Sequence, residues 1–282
     1  MNVPGSRGGF LRRRDIIKLT SQQLVSFKRE GYLFVERLFS EEEIETLTAS
    51  LFTPAMHQIP GVSREESSSA IRMTLGVHEH AVACERLTRH PRLIEPSEQI
   101  AGEPVYLYQS RVVMKSGMGQ AFKPFPWHQD FSTWYLVDGM KEAKPIVIGV
   151  FLDEINACNA PLMIVPRSHR RGMIARSGSC PDPTGTGQIV IDAEILRKLV
   201  ARGGMRALTG PPGSTFFIHA NLVHASTENI SLLRRAILYV VYNPMSNACT
   251  TRRAGYFAPN AHTPVTALAD DCLLEAPRPP AV

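Results

Sequence analysis

Cysteine is scarce in this chain, and no two cysteines stand at the spacing of a metal or redox motif. The five that are present are widely scattered, odd in number and never arranged as C-x-x-C. A disulfide framework or a structural zinc site fits this pattern poorly, whereas reduced thiols fit it well. We therefore expect a cytoplasmic protein.

Long apolar stretches are also missing. No segment reaches the length needed to cross a bilayer, and the N-terminus lacks the apolar core of a secretory signal. We therefore expect no membrane partner, although the arginine-rich start of the chain leaves an organelle-targeting signal open.

Acidic residues are slightly outnumbered, with 26 Asp and Glu against 31 Lys and Arg, which gives a formal charge of +5. Part of the excess lies in Arg7, Arg12, Arg13 and Arg14. The chain has neither zinc-finger spacing nor a basic stripe interleaved with aromatic residues, so we expect no nucleic-acid partner. We interpret residues 1–18 as a flexible basic leader.

Apolar residues make up 44% of the 282 residues and charged residues 20%, which is typical of a soluble globular protein with one large domain. Two capping boxes, Thr20-Ser-Gln-Gln23 and Ser40-Glu-Glu-Glu43, each predict the start of a helix. Between them, Tyr32-Leu-Phe-Val35 predicts a short strand. The chain therefore begins with a helical entry module.

From about residue 104 the sequence changes to short β-branched or aromatic runs separated by turn residues. We predict strands at 105–108, 111–114, 146–152, 162–165, 189–191, 215–218 and 236–242, and one helix near 192–201. Many short strands punctuated by Gly and Pro favour a mainly β fold of the sandwich or barrel kind with flanking helices. We place a single domain at residues 19–258 and a Pro- and Ala-rich tail at 259–282.

One histidine motif stands apart from the rest. His128-Gln-Asp130 would direct an imidazole and a carboxylate to the same side of a strand, where both can bind one metal ion. Together with a distant second histidine, this H-x-D motif supplies the 2-His-1-carboxylate ligand set of non-haem iron oxygenases. A chain of this composition is expected to contain about 0.25 H-x-D motifs by chance. The surrounding residues must therefore decide whether this one is a metal site.

The surroundings favour His224 as the third ligand over its neighbour His219. Ser226 follows two residues later, and Arg235 begins an apolar strand eleven residues later. A guanidinium inside a barrel can pair bidentately with the carboxylate of a dicarboxylate co-substrate. Surface or structural roles are expected for the other histidines in polar contexts, which are His57, His78, His80, His90 and His262.

The segment Trp127-His-Gln-Asp130-Phe-Ser-Thr-Trp134 resembles the metal motif of the phytanoyl-CoA dioxygenase family, and most closely its branch of ectoine hydroxylases and free-amino-acid (leucine, proline) hydroxylases. The resemblance extends from about residue 19 to residue 247. Further matching segments lie in the same order along the chain: Tyr108-Gln-Ser-Arg111, Pro161-Leu-Met-Ile-Val-Pro166, Ser168-His169 and His224-Ala-Ser-Thr-Glu-Asn-Ile230.

This resemblance implies a double-stranded β-helix of the jelly-roll, cupin-like kind that uses Fe(II), 2-oxoglutarate and O2. It implies that His128, Asp130 and His224 are both the metal ligands and the catalytic centre. The co-substrate residues would be Lys115, Ser226 and Arg235. On the substrate side it implies Gln109 and Trp134. Arg111 and Arg72 are candidate partners of a substrate carboxylate, and a solvated charge is the alternative for each. His169 is expected to be structural.

The chain departs from the family pattern at four places that we expect near the entrance or the substrate side. Val113 replaces a small polar residue, and Tyr135 replaces a histidine. Ala160 and Arg167 each stand where the family has a glycine. These departures leave the metal ligands untouched, and they weigh against ectoine itself as the substrate.

The resemblance implies hydroxylation of an unactivated C–H bond in a small amino-acid-like substrate, with release of succinate and CO2. Related halogenases have Gly or Ala in place of Asp130, so its presence favours hydroxylation, while desaturation or cyclisation stays open. The main alternative is the same chemistry on a larger natural-product or acyl intermediate. A non-enzymatic jelly-roll binding module and a nucleic-acid repair oxygenase fit less well. The oligomeric state is expected to be a monomer or a homodimer.

Overall fold

The computed structural model of the protein describes residues 18–65, 69–117, 124–174, 189–249 and 262–275. Its helices are α1 (Ser21–Glu30), α2 (Glu41–Leu51), α3 (Val82–Thr88), α4 (Pro91–Ala101), α5 (Asp130–Asp138) and α6 (Ala193–Gly203). Its strands are β1 (Tyr32–Val35), β2 (Val62–Arg64), β3 (Ile71–Leu75), β4 (Val105–Lys115), β5 (Phe125–His128), β6 (Ile146–Phe151), β7 (Leu162–Ile164), β8 (Arg206–Leu208), β9 (Thr215–His219), β10 (His224–Ser226) and β11 (Arg235–Pro244). No helix among these residues is long and apolar enough to cross a membrane.

The helical entry module forms as its capping boxes predict. The side chains of Thr20 and Ser40 each accept a hydrogen bond from the third backbone N–H of their helix. In return, the side chains of Gln23 and Glu43 accept from the backbone N–H of Thr20 and Ser40. Gly31 ends α1 in the left-handed conformation, with a φ of 83°. A side chain there would collide with the ring of His169, which lies 2.3 Å from the position of a Cβ.

The strands build two antiparallel sheets, which confirms the predicted mainly β fold with flanking helices. The larger sheet has the order β1-β9-β6-β11-β4-β3-β2, and the smaller has the order β5-β10-β7-β8. Alternate residues of β11 face different cores. Leu238 and Val240 pack with the helices behind the large sheet, while Ile237 and Tyr239 point between the sheets. Arg235 therefore belongs to the inner face.

A β-bulge in β4 decides which side chains line the interior. Gln109 pairs with Val241 and Leu107 with Tyr242, so Tyr108 is the extra residue. Tyr106 and Tyr108 face inward before the bulge, and Val113 faces inward after it. The two strands predicted at 105–108 and 111–114 are in fact one strand, because the bulge interrupts the alternation of apolar residues.

One further expectation, a strand at 189–191, is wrong. The segment 189–191 is not a strand; it makes only an isolated bridge, in which Ile191 N–H donates to the carbonyl of Trp127 at 2.8 Å. Within the predicted tail, residues 262–275 pack on the helices. Asp270 accepts from Arg92 at 2.6 Å, and Cys272 and Leu273 are buried. The division into a leader, a domain and a tail stays a prediction, since residues 1–17 and 276–282 lie outside the described residues.

The two positions at which the chain lacks a family glycine keep a left-handed backbone. Ala160 has a φ of 60° and Arg167 a φ of 68°. This conformation brings Cβ close to the following carbonyl and costs about 1–2 kcal/mol for a non-glycine residue. Arg167 gains an ion pair with Glu30 at 3.0 Å in return, whereas the methyl group of Ala160 makes no comparable polar contact.

Replacing Ala160 with glycine should therefore stabilise the protein by about 0.5–1 kcal/mol. Relief of the backbone strain outweighs the extra conformational entropy that glycine gives the unfolded chain. Urea unfolding measures the change. Ala201→Gly in α6 is the matched control and should destabilise by about 1 kcal/mol. An equal loss of stability in both variants would contradict the assignment of strain at Ala160.

Candidate active site

Two histidines face each other across the small sheet. His128 ends β5 and His224 begins β10, and their Cα atoms are partners in the antiparallel register. Their ring centroids lie 4.2 Å apart. Asp130 completes the group, with one ligand atom from each residue lying within 4.8 Å of the others. All three side chains are buried.

The sequence predicts Asp130 on the same strand as His128, but in the structure Asp130 is the first residue of α5. Gln129 before it is still extended, with φ −122° and ψ 127°. Residues on either side of an extended residue point the same way, so the imidazole and the carboxylate still converge. The N-terminus of α5 also favours a negative charge at this position.

The hydrogen bonds of the two histidines direct their Nε2 atoms into the site. His128 Nδ1 lies 2.6 Å from the carbonyl of Pro126, and His224 Nδ1 lies 2.9 Å from the carbonyl of Leu222. A carbonyl oxygen only accepts, so each Nδ1 carries a proton, and Nε2 is the ring nitrogen that is directed to the site and can bind a metal. The Nε2 atoms lie 3.6 and 3.9 Å from the carboxylate of Asp130.

The electrostatics of the group suit a cation. Burial alone would raise the pKa of Asp130, but His128, His224 and Arg111 together hold it well below its usual value. Burial, followed by the proximity of His128, lowers the pKa of His224 to about 4. Asp130 Oδ2 is buried and makes no hydrogen bond to any described residue. Two imidazoles and one carboxylate with an unused oxygen fit Fe(II).

His219, the rival of His224, lies outside this group and stacks on His169 with ring centroids 5.0 Å apart. Three other histidines have structural contacts. His78 bonds Ser110 Oγ, His90 is fully buried beside Asp270, and His262 makes an edge-to-face contact with Tyr106.

A cavity between the sheets opens onto the three buried ligand atoms. The large sheet supplies Arg235, Gln109, Arg111 and Tyr239 to its wall, and the small sheet supplies Ser226. Asp130 is the only carboxylate among the described lining residues, while two guanidinium groups face the same space. The cavity therefore favours anionic ligands.

Arg235 and Lys115 lie side by side at one end of the cavity, as partners in the register of β11 and β4. Each is 1% exposed. No nitrogen of the Arg235 guanidinium has a hydrogen-bond partner among the described residues. Lys115 Nζ donates to the carbonyl of Thr227 and lies 3.5 Å from that of Ser226. A buried guanidinium with no partner is costly, and the distal carboxylate of 2-oxoglutarate would satisfy it.

The predicted substrate residues line the same cavity. Arg111 donates to Gln109 Oε1, lies over the ring of Tyr239 at 4.9 Å and approaches Asp130 at 3.7 Å. Trp134 packs edge-on against Tyr108, with ring centroids 5.2 Å apart. Tyr239 was not predicted, although its place four residues after Arg235 on an alternating strand points it inward.

Three expectations about neighbouring residues need correction. Arg72 is neither a substrate partner nor a solvated charge, since it is buried and paired with Glu65 at 2.7 Å. Ala160 and Arg167 do not lie near the cavity entrance, because they occupy turns outside the cavity wall. Val113 does line the cavity.

Two facing antiparallel sheets with two histidines and one aspartate in a buried cavity define a non-haem iron oxygenase of the double-stranded β-helix class. The family model for phytanoyl-CoA dioxygenase (PhyH) matches residues 27–237. The chain belongs to this family, as its sequence predicted.

Individual relatives agree with this assignment. The ectoine dioxygenase of Bordetella parapertussis is 36% identical over 249 residues, which are 84% of this chain and 79% of the relative. The L-proline trans-4-hydroxylase of Streptomyces griseoviridis is 34% identical over 232 residues, which are 79% of this chain and 86% of the relative. The crystal structure of EctD from S. alaskensis with 2-oxoglutarate and 5-hydroxyectoine has a TM-score of 0.77 at 29% identity, covering 91% of this chain and 89% of that one. The protein is a 2-oxoglutarate-dependent non-haem iron dioxygenase.

Proposed function

We propose that this dioxygenase hydroxylates a C–H bond of a small amino-acid-like molecule that carries a carboxylate. The observation that carries the proposal is the placing of two guanidinium groups, Arg235 and Arg111, in the wall of one cavity that also contains the three buried ligand atoms. One guanidinium is available to the co-substrate and the other to the substrate. The relatives named ectoine dioxygenase and L-proline trans-4-hydroxylase support a substrate of this size.

In this proposal His128, Asp130 and His224 hold the iron. Their Nδ1 hydrogen bonds fix the imidazole rings, so both Nε2 lone pairs stay directed at one point. Iron held by these residues would supply dioxygen activation, coupled to the conversion of 2-oxoglutarate to succinate and CO2. Three protein ligands leave positions open for those molecules, and the retained Asp130 carboxylate favours hydroxylation.

Arg235 binds the distal carboxylate of 2-oxoglutarate as a two-pronged donor. Ser226 lies in the cavity wall and adds a hydroxyl. Lys115 provides a second cation beside Arg235. On the opposite side, Arg111 pairs with the substrate carboxylate, Gln109 orients Arg111, and the indole of Trp134 covers the apolar part of the substrate.

A substrate panel tests the proposal directly. Purified enzyme with Fe(II) and 2-oxoglutarate is incubated with free amino acids, ectoine and larger acyl compounds, and succinate release and product mass are measured. We expect one or a few small carboxylate-bearing compounds to raise succinate release. Arg111→Met should raise the KM for that compound while leaving the affinity for 2-oxoglutarate unchanged. Stimulation by acyl compounds alone would refute the proposed substrate class.

The affinity for 2-oxoglutarate should fall as the pH rises, because binding takes up a proton. Burial, followed by Arg235 and Arg72, lowers the pKa of Lys115 to about 6, against the opposing effect of Glu65 and Glu228. Above that pH Lys115 is largely neutral in the free protein, whereas a bound carboxylate favours its charged form. The Kd should therefore rise by up to about tenfold per pH unit between about pH 6.5 and 8.5.

Isothermal titration of metal-loaded protein with 2-oxoglutarate measures this slope. Lys115→Arg is the matched control, because arginine stays charged throughout the range and should remove the slope. Parallel pH profiles for the wild type and Lys115→Arg would show that another group takes up the proton.

We further propose a cytoplasmic monomer or homodimer with no nucleic-acid or membrane partner. The four cysteines within the described residues are all free thiols, which supports a reducing compartment.

A further inference from the structure

The loop that presents His224 is fully hydrogen-bonded. Residues Asn221, Leu222 and Val223 directly precede His224 in the connection from β9, and every backbone N–H and C=O of the three is bonded. Two of the partners, Gln129 and Ser168, are side chains from distant segments. A loop held in this way has little freedom to move the ligand that follows it.

Gln129 provides one of these bonds from between the two ligands of the H-x-D motif. Its Nε2 donates to the carbonyls of Asn221 at 2.6 Å and Gly172 at 2.9 Å. Its Oε1 accepts from Ile174 N–H at 2.8 Å. The side chain is 1% exposed. Because Gln129 is extended, its side chain points away from the metal ligands and towards the loop behind them.

The Pro166-Arg-Ser-His169 motif provides a second bond to the loop from a distant segment. Ser168 Oγ accepts from Val223 N–H at 2.8 Å, and Ser168 is 2% exposed. His219 Nδ1 accepts from Asn221 N–H at 3.0 Å, and the ring of His169 stacks on that of His219. These residues do not touch the cavity, so the motif is otherwise unexplained by the reaction.

We infer that Gln129 and Ser168 are positioning residues that clamp the Asn221–Val223 loop and so fix His224 relative to His128 and Asp130. The inference rests on the proposed role of His224 as an iron ligand. Metal coordination tolerates errors of only about 0.5 Å, so a loosened loop changes the geometry at the metal before it abolishes folding. Groups behind a ligand typically contribute about 10- to 100-fold in metal affinity.

The test uses Co(II) as the probe, since its visible spectrum reports the arrangement of its ligands. Full-length Gln129→Met and Ser168→Ala are compared with the wild type for Co(II) affinity, by competition with a chelator, and for the Co(II) spectrum. Gln99→Met is the matched control, because the Gln99 amide also bonds a backbone, that of Leu19, but does so on α4. Thermal unfolding of the metal-free proteins measures how much each substitution changes the stability of the fold itself.

We expect both clamp variants to bind Co(II) about 10- to 100-fold more weakly with an altered spectrum, and Gln99→Met to match the wild type. If Gln129→Met does not fold, Ser168→Ala alone tests whether the clamped loop positions His224. Wild-type affinity and spectrum in a folded clamp variant, with a change only in melting temperature, would overturn the inference. Failure of the wild type itself to bind Co(II) would instead overturn the proposed iron site.

Discussion

Arg235→Met should weaken 2-oxoglutarate binding by about 100- to 1,000-fold and at the same time stabilise the ligand-free protein. The guanidinium is buried, and none of its nitrogens has a hydrogen-bond partner among the described residues. Loss of the group that neutralises a buried carboxylate costs several kcal/mol of binding. In the empty cavity the same group is an uncompensated charge, and methionine of similar shape should gain about 1–3 kcal/mol of stability.

The adjacent Arg234 provides the control for this experiment. Arg234 is exposed and pairs with Asp153 at 2.7 Å, so Arg234→Met should leave both the Kd for 2-oxoglutarate and the stability nearly unchanged. The Kd is measured by titration of metal-loaded protein and the stability by urea unfolding. If Arg235→Met kept the wild-type Kd, Arg235 would not be the carboxylate partner. If it lost stability, the guanidinium would have a partner in the free protein.

His224→Ala should lower the affinity for Fe(II) by more than about 100-fold and remove succinate formation. Loss of a direct ligand exceeds the 10- to 100-fold cost of losing a group behind one. Metal competition under anaerobic conditions measures the affinity. His78→Ala is the control, because His78 bonds Ser110 away from the ligand group and should bind iron as the wild type does. Equal affinities in the two variants would return His219 to consideration as the third ligand.

The sequence predicted the features that depend on local chemistry. The capping boxes at Thr20 and Ser40 start helices because a side chain and a backbone group three residues apart satisfy each other. The ligand group was found because H-x-D brings two side chains to one side through a single extended residue. The bulge at Tyr108 in β4 could not be predicted, because it arises from the pairing of β4 with β11.

The parts that the sequence did not reveal depend on contacts between distant segments. The four-residue strand β5 and the three-residue strand β10 carry the two histidines, yet they are too short to show an alternating pattern. Gln129 is the unspecified middle residue of the H-x-D motif, and its role appears only once Asn221 and Gly172 lie beside it. Arg72 was a candidate partner of a substrate carboxylate because its actual partner, Glu65, cannot be identified from the sequence alone.

The most direct test of the iron and 2-oxoglutarate site is an anaerobic titration with Fe(II) and 2-oxoglutarate, followed by the weak visible charge-transfer band of the chelate. We predict a band that saturates at one equivalent of each in the wild type, is absent in His224→Ala and needs far more 2-oxoglutarate in Arg235→Met. A well-folded wild-type protein that gives no band would contradict the assignment of this site.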